Sequence, residues 1–225
     1  ARYRHWHDFA SNRLFGIEIN DEIARVAKMN MIVHDDGHTN VISHDALDSI
    51  DKMSSHNQGF LREKFDLILT NPPFGSTVNK VEKPYLSNYE LGKTKDAKGK
   101  KKDRPRQISE VLFIERIWQF LKPGTGKAAI ILPDGILTNS SMQYVRDFIL
   151  EKFQLLAVVS LPQCAFAHFG AGVKASIIFV RKRKKNEKPD ENEAIFMAAP
   201  ELIGYDATGR KTESQLDEIV SKFEE

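Results

Sequence analysis

Four consecutive residues of this chain, Asn71, Pro72, Pro73 and Phe74, combine the groups needed to hold an amine. The two prolines restrict the backbone and remove two N–H donors, so the carbonyl groups of the segment remain available as acceptors. The Asn71 side-chain oxygen and a neighbouring carbonyl can then both accept hydrogen bonds from one NH2 group. Phe74 offers an aromatic face on which a planar ring can stack. The segment therefore predicts a site for a planar group that carries an amine.

The position of this segment supports that interpretation. Residues 65–70 form an apolar run typical of a buried strand, and the run ends abruptly at Asn71. Ligands in open α/β sheets bind beyond the carboxyl ends of the strands. Glu18 lies near the end of an earlier predicted strand, where an acid in nucleotide-binding α/β folds holds ribose hydroxyls. The alternatives are a tight loop after a strand for residues 71–73 and an exposed strand-end acid for Glu18.

The elements that must position these residues alternate along the chain. Apolar runs predict strands over residues 14–19, 40–43, 65–70, 128–132, 155–161 and 175–180. Apolar residues at helical spacing predict helices over residues 21–32, 108–121 and 141–152. This alternation predicts an α/β fold whose sheet is largely parallel and covered by helices. Because only residues 162–174 join the last two strands, we expect that pair to be antiparallel.

Charge is distributed unevenly, although the net charge of the 225-residue chain is only +2. Residues 93–106 contain eight basic and two acidic side chains, and a second basic cluster spans residues 181–185. Either cluster could contact phosphates, and the alternative is a solvated surface. The candidates that we select from the first cluster are Lys98, Lys100, Lys101, Lys102 and Arg104. They lie in residues 75–107, a segment with little periodicity that we interpret as an insertion loop.

Several protein classes are disfavoured by the sequence. No apolar run reaches the roughly 18 residues of a membrane helix, and the first residues do not resemble a signal peptide. The single cysteine, Cys164, excludes an internal disulfide, so we expect a cytoplasmic protein without membrane association. His34 and His38 flank residues 35–37, which are typical of a turn rather than of a metal site. We therefore predict no bound metal.

Residues 71–75, together with the upstream segment 14–20, resemble the modification subunit of type I restriction-modification systems. The signature is that of amino-methyltransferases, and residues from about 13 to 183 follow the order of motifs in this family. The resemblance implies a Rossmann-like sheet and S-adenosyl-L-methionine as cofactor. It also implies methyl transfer to the N6 amino group of adenine in double-stranded DNA.

The resemblance assigns roles to individual residues. Asn71 and the Pro72 carbonyl would accept hydrogen bonds from the target amine, and Phe74 would stack on a base flipped out of the duplex. Glu18 would hold the ribose of the cofactor, and Ile19 would pack on its adenine. The adenine amino group would be contacted by Asp45, with Ala46 beside it. Asn71 would border the same cofactor. For Asp45 the alternative is a turn or a helix cap.

The sequence departs from the family at its beginning. A strand with a glycine-rich turn should precede residue 14 by a few tens of residues, and such a turn lets the backbone approach the cofactor. We do not find it, so we expect a fragment that lacks the first strand of the sheet and is inactive by itself. We expect residues 1–185 to form this partial catalytic core and residues 186–225 to form a C-terminal extension. Specificity and restriction subunits would be its partners, and the basic loop would order on DNA.

Two other functions are compatible with the same residues. The Asn-Pro-Pro sequence also occurs in methyltransferases that act on guanine in ribosomal RNA or on protein glutamine. A chain without the glycine-rich turn could instead be a non-catalytic remnant that only binds partners or nucleic acid. The chemical nature of the methylated product would distinguish the first alternative from adenine methylation. Cofactor binding, measured after the N-terminal segment is restored, would distinguish the second.

Overall fold

The computed structural model describes residues 2–34, 38–95 and 99–224. The chain divides into two compact units, Ala1–Lys64 and Phe65–Glu225. This division falls within the expected core of residues 1–185. The expected division into a core and an extension beginning at residue 186 stays a prediction.

The first unit is a small α/β arrangement. Its helices and strands are, in chain order, α1 (Arg2–Arg13), β1 (Gly16–Glu18), α2 (Asp21–Val33), β2 (Val41–Ser43) and α3 (Ile50–His56). Strands β1 and β2 are parallel, and Glu18 is aligned with Ser43. Helix α2 begins where the Asn20 side chain accepts hydrogen bonds from the backbone N–H groups of Glu22 and Ile23, which would otherwise lack partners. The carboxyl ends of β1 and β2 therefore lie side by side.

The second unit contains the remaining elements. They are β3 (Leu67–Thr70), β4 (Thr77–Asn79), β5 (Lys93–Lys95), β6 (Lys101–Asp103), β7 (Arg106–Ile108), α4 (Ser109–Phe120), β8 (Lys127–Pro133), α5 (Asp134–Thr138), α6 (Gln143–Lys152), β9 (Phe153–Ser160), β10 (Ala175–Lys182), β11 (Phe196–Ala198), β12 (Ile203–Tyr205), β13 (Lys211–Ser214) and α7 (Leu216–Glu224). Short 3-10 helices span His38–Asn40 in the first unit and Pro84–Asn88, Ser140–Met142 and Gln163–Phe169 in the second.

Five strands of the second unit form its main sheet, in the order β11-β9-β10-β8-β3. The pairs β3–β8 and β11–β9 are parallel, and β10 is antiparallel to both of its neighbours. Four strands therefore run in one direction and β10 runs in the other. This confirms the prediction of a mostly parallel sheet in which β10 is antiparallel to β9, although β10 lies between β8 and β9 and is followed by β11.

The core of the second unit lies between this sheet and helices α4 and α6. Its apolar side chains come from α4, β8, α6 and β10, among them Val111, Ile114, Ile117, Ile130, Leu132, Val145, Phe148 and Ile178. Helix α4 is buried on almost every side, including at Ser109, Glu110, Glu115 and Arg116. Buried polar groups must be hydrogen-bonded to be tolerated. The polar side of α4 therefore requires partners from other elements.

The insertion over residues 75–107 is more regular than its sequence indicates. Strands β4 and β7 pair at its base, and β5 and β6 pair further along as an antiparallel hairpin. The Glu115 carboxylate of α4 accepts hydrogen bonds from the backbone N–H groups of Glu90 and Leu91, each at 2.9 Å. The described part of the insertion thus covers the polar side of α4. Lys98 of this segment lies outside the described residues.

The second basic cluster, residues 181–185, is used largely for internal contacts. Arg183 is 4% exposed and makes two charge-assisted hydrogen bonds to Glu193, at 2.5 and 2.6 Å. Arg181 pairs with Glu187 at 2.5 Å, and Lys182 is buried. Lys184 and Lys185 are exposed. The hypothesis that the whole cluster contacts phosphates is therefore not supported for its first three members.

Candidate active site

The Asn71-Pro72-Pro73-Phe74 segment follows β3, which is one of the two edge strands of the main sheet. Thr70 at the end of β3 is aligned with Ile130, while β8 continues to Pro133. Asn71 is exposed, and its side chain makes no hydrogen bond with any residue that the structure describes. The same holds for the Pro72 carbonyl within the described ranges. Two acceptors at the carboxyl end of β3 are therefore not engaged by the described residues, one on exposed Asn71 and one on buried Pro72.

The first residues of helix α4 support the loop that carries these acceptors. The Ser109 backbone N–H donates to the Ser76 carbonyl at 2.8 Å, and the Ser109 hydroxyl lies 3.2 Å from the Pro73 carbonyl. The Glu110 carboxylate accepts a hydrogen bond from the Gly75 N–H at 2.5 Å. These contacts fix residues 73–76 against a buried helix. They leave the Pro72 carbonyl and the Asn71 amide without protein partners in the described structure.

Gly75 allows the loop to turn away immediately after Phe74. Its φ of +74° lies in the left-handed region, which side chains other than glycine adopt at a cost. A Cβ atom placed on Gly75 would have no neighbour within 4 Å. The requirement for glycine therefore comes from the backbone conformation and not from lack of space.

A second aromatic ring lies beside Phe74. The ring of Phe166 contacts Phe74 edge to face, with centroids 5.7 Å apart and an interplanar angle of 84°. Phe166 belongs to the 3-10 helix Gln163–Phe169, which follows the carboxyl end of β9. Sequence reasoning missed Phe166. An aromatic residue just after a strand was the available signal, but its proximity to Phe74 depends on the strand order.

The acidic side chain of Asp134, which follows the carboxyl end of β8, is already engaged by other residues. Asp134 accepts a hydrogen bond from the Ser176 hydroxyl at 2.7 Å, and Lys174 lies 3.7 Å from its other oxygen. Lys174 also donates to the Ser160 hydroxyl at 2.7 Å and to the Leu161 carbonyl at 2.9 Å. This network ties the ends of β8, β9 and β10 together. Asp134 thus has a structural role at this edge of the sheet.

In the first unit, Glu18 ends β1 and is partly buried. Its Oε1 atom accepts a hydrogen bond from the Asn20 N–H at 2.8 Å, and its backbone carbonyl accepts one from the His44 N–H at 3.0 Å. Within the described residues its Oε2 atom has no hydrogen-bond partner, so this oxygen is available to a hydroxyl donor. Ile19 follows with 65% of its surface exposed. An acceptor and an apolar surface therefore adjoin each other after β1.

Asp45 and Ala46 follow β2 in a turn at the same edge of the small sheet. Asp45 Oδ1 accepts a hydrogen bond from the Leu47 N–H at 3.0 Å, and the Asp45 carbonyl accepts one from the Asp48 N–H at 3.0 Å. This geometry matches the turn that the sequence allowed as the alternative for Asp45. Asp45 and Ala46 are both partly buried. A turn does not prevent the Asp45 carboxylate from also contacting a ligand, so its binding role stays a prediction.

The residues predicted to bind nucleic acid differ in how strongly the protein engages them. Lys101 pairs with Glu90 at 3.3 Å. Arg104 donates to the Lys93 carbonyl at 3.1 Å, and its guanidinium lies 4.5 Å from the centroid of the Tyr144 ring. Arg104 therefore attaches the insertion to helix α6. A role for Arg104 in binding phosphates would require it to leave this position or to use its remaining N–H groups.

Lys102 is the clearest candidate of this set for an external contact. It is exposed, and no ion pair or hydrogen bond within the described structure involves its side chain. Lys100 is also exposed, whereas Lys98 lies outside the described residues. Among the described residues no group of three or more His, Cys, Asp or Glu side chains could hold a metal ion. None of the described helices is both long and apolar enough to cross a bilayer.

Comparison with known protein families matches residues 2–225 to N-6 DNA methylase. The chain belongs to this family. An N-6 DNA methylase relative, the type I restriction enzyme EcoEI methylase subunit of Escherichia coli, is 27% identical over 179 residues, which are 78% of this chain and 32% of the relative. The resemblance to type I modification subunits is therefore confirmed. The chain spans about a third of the length of this relative.

Solved structures show the same fold. A structure from a study of complex assembly and conformational transition of the type I R-M system has a TM-score of 0.69 at 25% identity, covering 96% of this chain and 39% of that chain. A Listeria monocytogenes protein described as a class I S-adenosylmethionine-dependent methyltransferase has a TM-score of 0.65 at 17% identity, covering 93% and 54%. This N-6 DNA methylase chain therefore has the fold of S-adenosylmethionine-dependent methyltransferases.

Proposed function

We propose that this N-6 DNA methylase contributes to methyl transfer onto the N6 amino group of adenine in DNA, as a modification subunit of a restriction-modification system. The observation that carries the proposal is the pair of unengaged acceptors, the Asn71 amide oxygen and the Pro72 carbonyl, beside the Phe74 ring. An exocyclic amine has two hydrogens, and two acceptors satisfy both of them. A purine ring that stacks on Phe74 would bring its amine to the same short loop.

In this proposal the loop positions the amine and the aromatic rings position the base. Hydrogen bonds from the amine to Asn71 and Pro72 would favour the orientation in which the nitrogen lone pair points away from both acceptors. Phe74 would stack on the flipped base, while Phe166 would limit its sliding from the side. Positioning of this kind supplies a large part of a rate enhancement. We assign no general base, because Glu110 already accepts a hydrogen bond from the loop and Asp134 accepts one from Ser176.

The residues of the first unit fit S-adenosyl-L-methionine by their chemistry. Glu18 has one carboxylate oxygen available for ribose hydroxyls, and exposed Ile19 offers an apolar surface to an adenine ring. Asp45 and Ala46 would line the same ligand from the turn after β2. When bound, this cofactor supplies an electrophilic methyl group on a sulfonium.

The partners follow from the same proposal. Double-stranded DNA would be the substrate, and Lys98, Lys100, Lys101, Lys102 and Arg104 would contribute phosphate contacts from the insertion. A specificity subunit and a restriction subunit would be the protein partners, and the similarity to a type I methylase subunit and to a chain from a type I R-M system supports this part of the proposal. These subunits would supply sequence recognition and cleavage.

A comparison of substrates tests the proposal. The native protein, with the subunits that copurify with it, is incubated with methyl-labelled S-adenosylmethionine and with duplex DNA, ribosomal RNA or protein in parallel. We expect label in DNA alone, and less label in DNA whose adenines already carry N6-methyl groups. Label in RNA or protein but not in DNA would replace the proposal by one of the alternative amine substrates. Absence of cofactor binding would support a non-catalytic remnant.

A further inference from the structure

Glu110 is a buried carboxylate that the proposed chemistry does not use. It is the second residue of α4 and is 2% exposed. A carboxylate has about four acceptor positions, and taking it out of water costs free energy unless donors satisfy it. At the first turn of a helix the backbone dipole also favours a negative charge. The start of α4 is therefore a favourable position for a carboxylate, provided that other groups donate hydrogen bonds to its oxygens.

The donors to Glu110 come from the loop after β3. Its Oε1 atom accepts from the Gly75 N–H at 2.5 Å, one residue after Phe74. Its Oε2 atom lies 3.3 Å from the Ser109 hydroxyl, which is also 3.2 Å from the Pro73 carbonyl. A serine hydroxyl has a single proton, so Ser109 can serve these two acceptors only in alternation or by sharing. Glu110 and Ser109 therefore hold the loop on both sides of Phe74.

The hydrogen bonds made by Ser109 and Glu110 engage some backbone groups of the loop and do not engage others. Ser109 occupies the Pro73 carbonyl, Glu110 occupies the Gly75 N–H, and Pro72 and Pro73 have no N–H groups. The Asn71 side-chain amide and the Pro72 carbonyl are among the described loop groups that these bonds do not occupy, and they are the acceptors assigned to the amine. A loop held only by its strands could rotate these acceptors away from each other. Attachment at residues 73 and 75 restricts that rotation.

We infer that Glu110, assisted by Ser109, is a positioning residue that holds the Asn71–Pro72 acceptors and the Phe74 ring in the orientation needed for methyl transfer. This inference rests on the proposed function. Glu110 does not touch the substrate and acts through the backbone of residues 73–75. Its removal should therefore lower kcat, because a displacement of about 1 Å at a reacting centre can cost about 100-fold in rate. The KM for the cofactor should change little.

Helix α4 provides a matched control. Glu115 is also buried in this helix, and it accepts two backbone N–H groups, from Glu90 and Leu91 at 2.9 Å each, whereas Glu110 accepts one backbone N–H and one hydroxyl. The donors to Glu115 belong to the insertion and not to the loop after β3. Replacing Glu110 or Glu115 by alanine should thus have similar structural costs. Only the Glu110 substitution should affect the acceptor loop.

The experiment compares Glu110→Ala, Glu110→Gln, Ser109→Ala and Glu115→Ala in the native complex. For each variant, kcat and the KM for S-adenosylmethionine are measured on duplex DNA, together with the thermal unfolding midpoint. We expect kcat to fall about 100-fold in Glu110→Ala and less in Ser109→Ala, with the cofactor KM within about twofold of the wild-type value. Glu110→Gln should recover kcat to within about threefold, because its amide oxygen can accept the Gly75 N–H.

The outcomes separate the inference from the function on which it rests. Wild-type protein without methyl transfer to DNA would contradict the proposed function. An active wild-type protein with unchanged kcat in Glu110→Ala would overturn the positioning role, as would an equal loss of kcat in Glu115→Ala. If Glu110→Ala fails to fold, the kcat values of Ser109→Ala and Glu110→Gln test the positioning role instead. The inference is overturned if Ser109→Ala retains full kcat or if Glu110→Gln loses about 100-fold.

Discussion

Replacing Phe74 with alanine removes the ring on which we propose that the target base stacks. Stacking of a base on an aromatic side chain is worth about 1–3 kcal/mol by alanine substitution. Because each 1.4 kcal/mol is a factor of about ten, Phe74→Ala should weaken binding of the flipped base by roughly 5- to 150-fold. The half-buried position of Phe74 leaves part of the ring accessible, which favours the middle of this range.

The same substitution has a structural cost that must be separated from the loss of stacking. Phe74 forms an edge-to-face pair with Phe166, and such pairs contribute about 0.5–1.5 kcal/mol beyond area burial. Phe65 and Phe120 form a similar pair in the same unit, with centroids 5.5 Å apart and an interplanar angle of 79°. Phe65→Ala is therefore a control that removes an equivalent aromatic pair outside the loop.

Two measurements follow the effect of the Phe74 substitution. Fluorescence of DNA with 2-aminopurine at the target position reports a base that has left the DNA stack. Initial rates of methylation report kcat/KM. We expect both signals to fall in Phe74→Ala, to be largely retained in Phe74→Tyr, and to be unaffected in Phe65→Ala at a temperature where all variants are folded. Equal signals in Phe74→Ala and wild type would refute the assignment of Phe74 as the stacking residue.

Three further predictions concern charged groups. Hydrogen bonding from Arg181 lowers the pKa of Glu187 from 4.5 to about 2. The contribution of Glu187 to stability is therefore present above pH 4.5 and is lost as the pH falls toward 2. Urea unfolding should show this loss of stability, and the loss should be smaller in Glu187→Gln. Arg183→Met should lower the free energy of unfolding by about 3 kcal/mol, because it leaves the partly buried Glu193 carboxylate without its partner. The double variant Arg183→Met, Glu193→Met should recover most of this lost stability. If the losses of the two single variants simply add in the double variant, the pairing is contradicted. Lys102→Ala should reduce the slope of log K against log salt for DNA binding by about 0.9, and an unchanged slope would exclude a phosphate contact at this residue.

The sheet could be predicted from the sequence because its signals are local. Apolar runs marked β3, β8, β9 and β10, and the short connection between the last two indicated that they are antiparallel. The strand order could not be predicted, because it depends on contacts between residues far apart in the chain. The position of β10 between β8 and β9 is such a case.

The loop after β3 was also predictable from local sequence. The residues of other elements that contact this loop were not. Asn71 and Phe74 belong to a continuous motif, so residue types alone indicated their chemistry. Glu110 and Phe166 reach the loop through α4 and through the segment after β9, and nothing in their own neighbourhoods indicates this contact. Helix α4 illustrates the difficulty, since its polar residues Glu110, Glu115 and Arg116 are buried.

Within the described part of the chain, the basic clusters combine residues that have partners in the protein with residues that do not, and the sequence did not separate the two. Residues 181–185 look like a phosphate-binding stretch, but Arg181 and Arg183 pair with Glu187 and Glu193. A count of like charges does not reveal the acids that lie a few residues further along and fold back. The insertion resembles this case in part, because Lys101 and Arg104 also have partners within the protein.

The position of the transferred methyl group tests the central claim most directly. Duplex DNA methylated by the native complex with labelled S-adenosylmethionine is digested to nucleosides, and the labelled nucleoside is identified by mass spectrometry for wild type and for Asn71→Ala. We expect label in N6-methyldeoxyadenosine alone and its loss in the variant, because the amine then lacks one of its two acceptors. Label on another atom or base, or an Asn71→Ala variant as active as wild type, would contradict it.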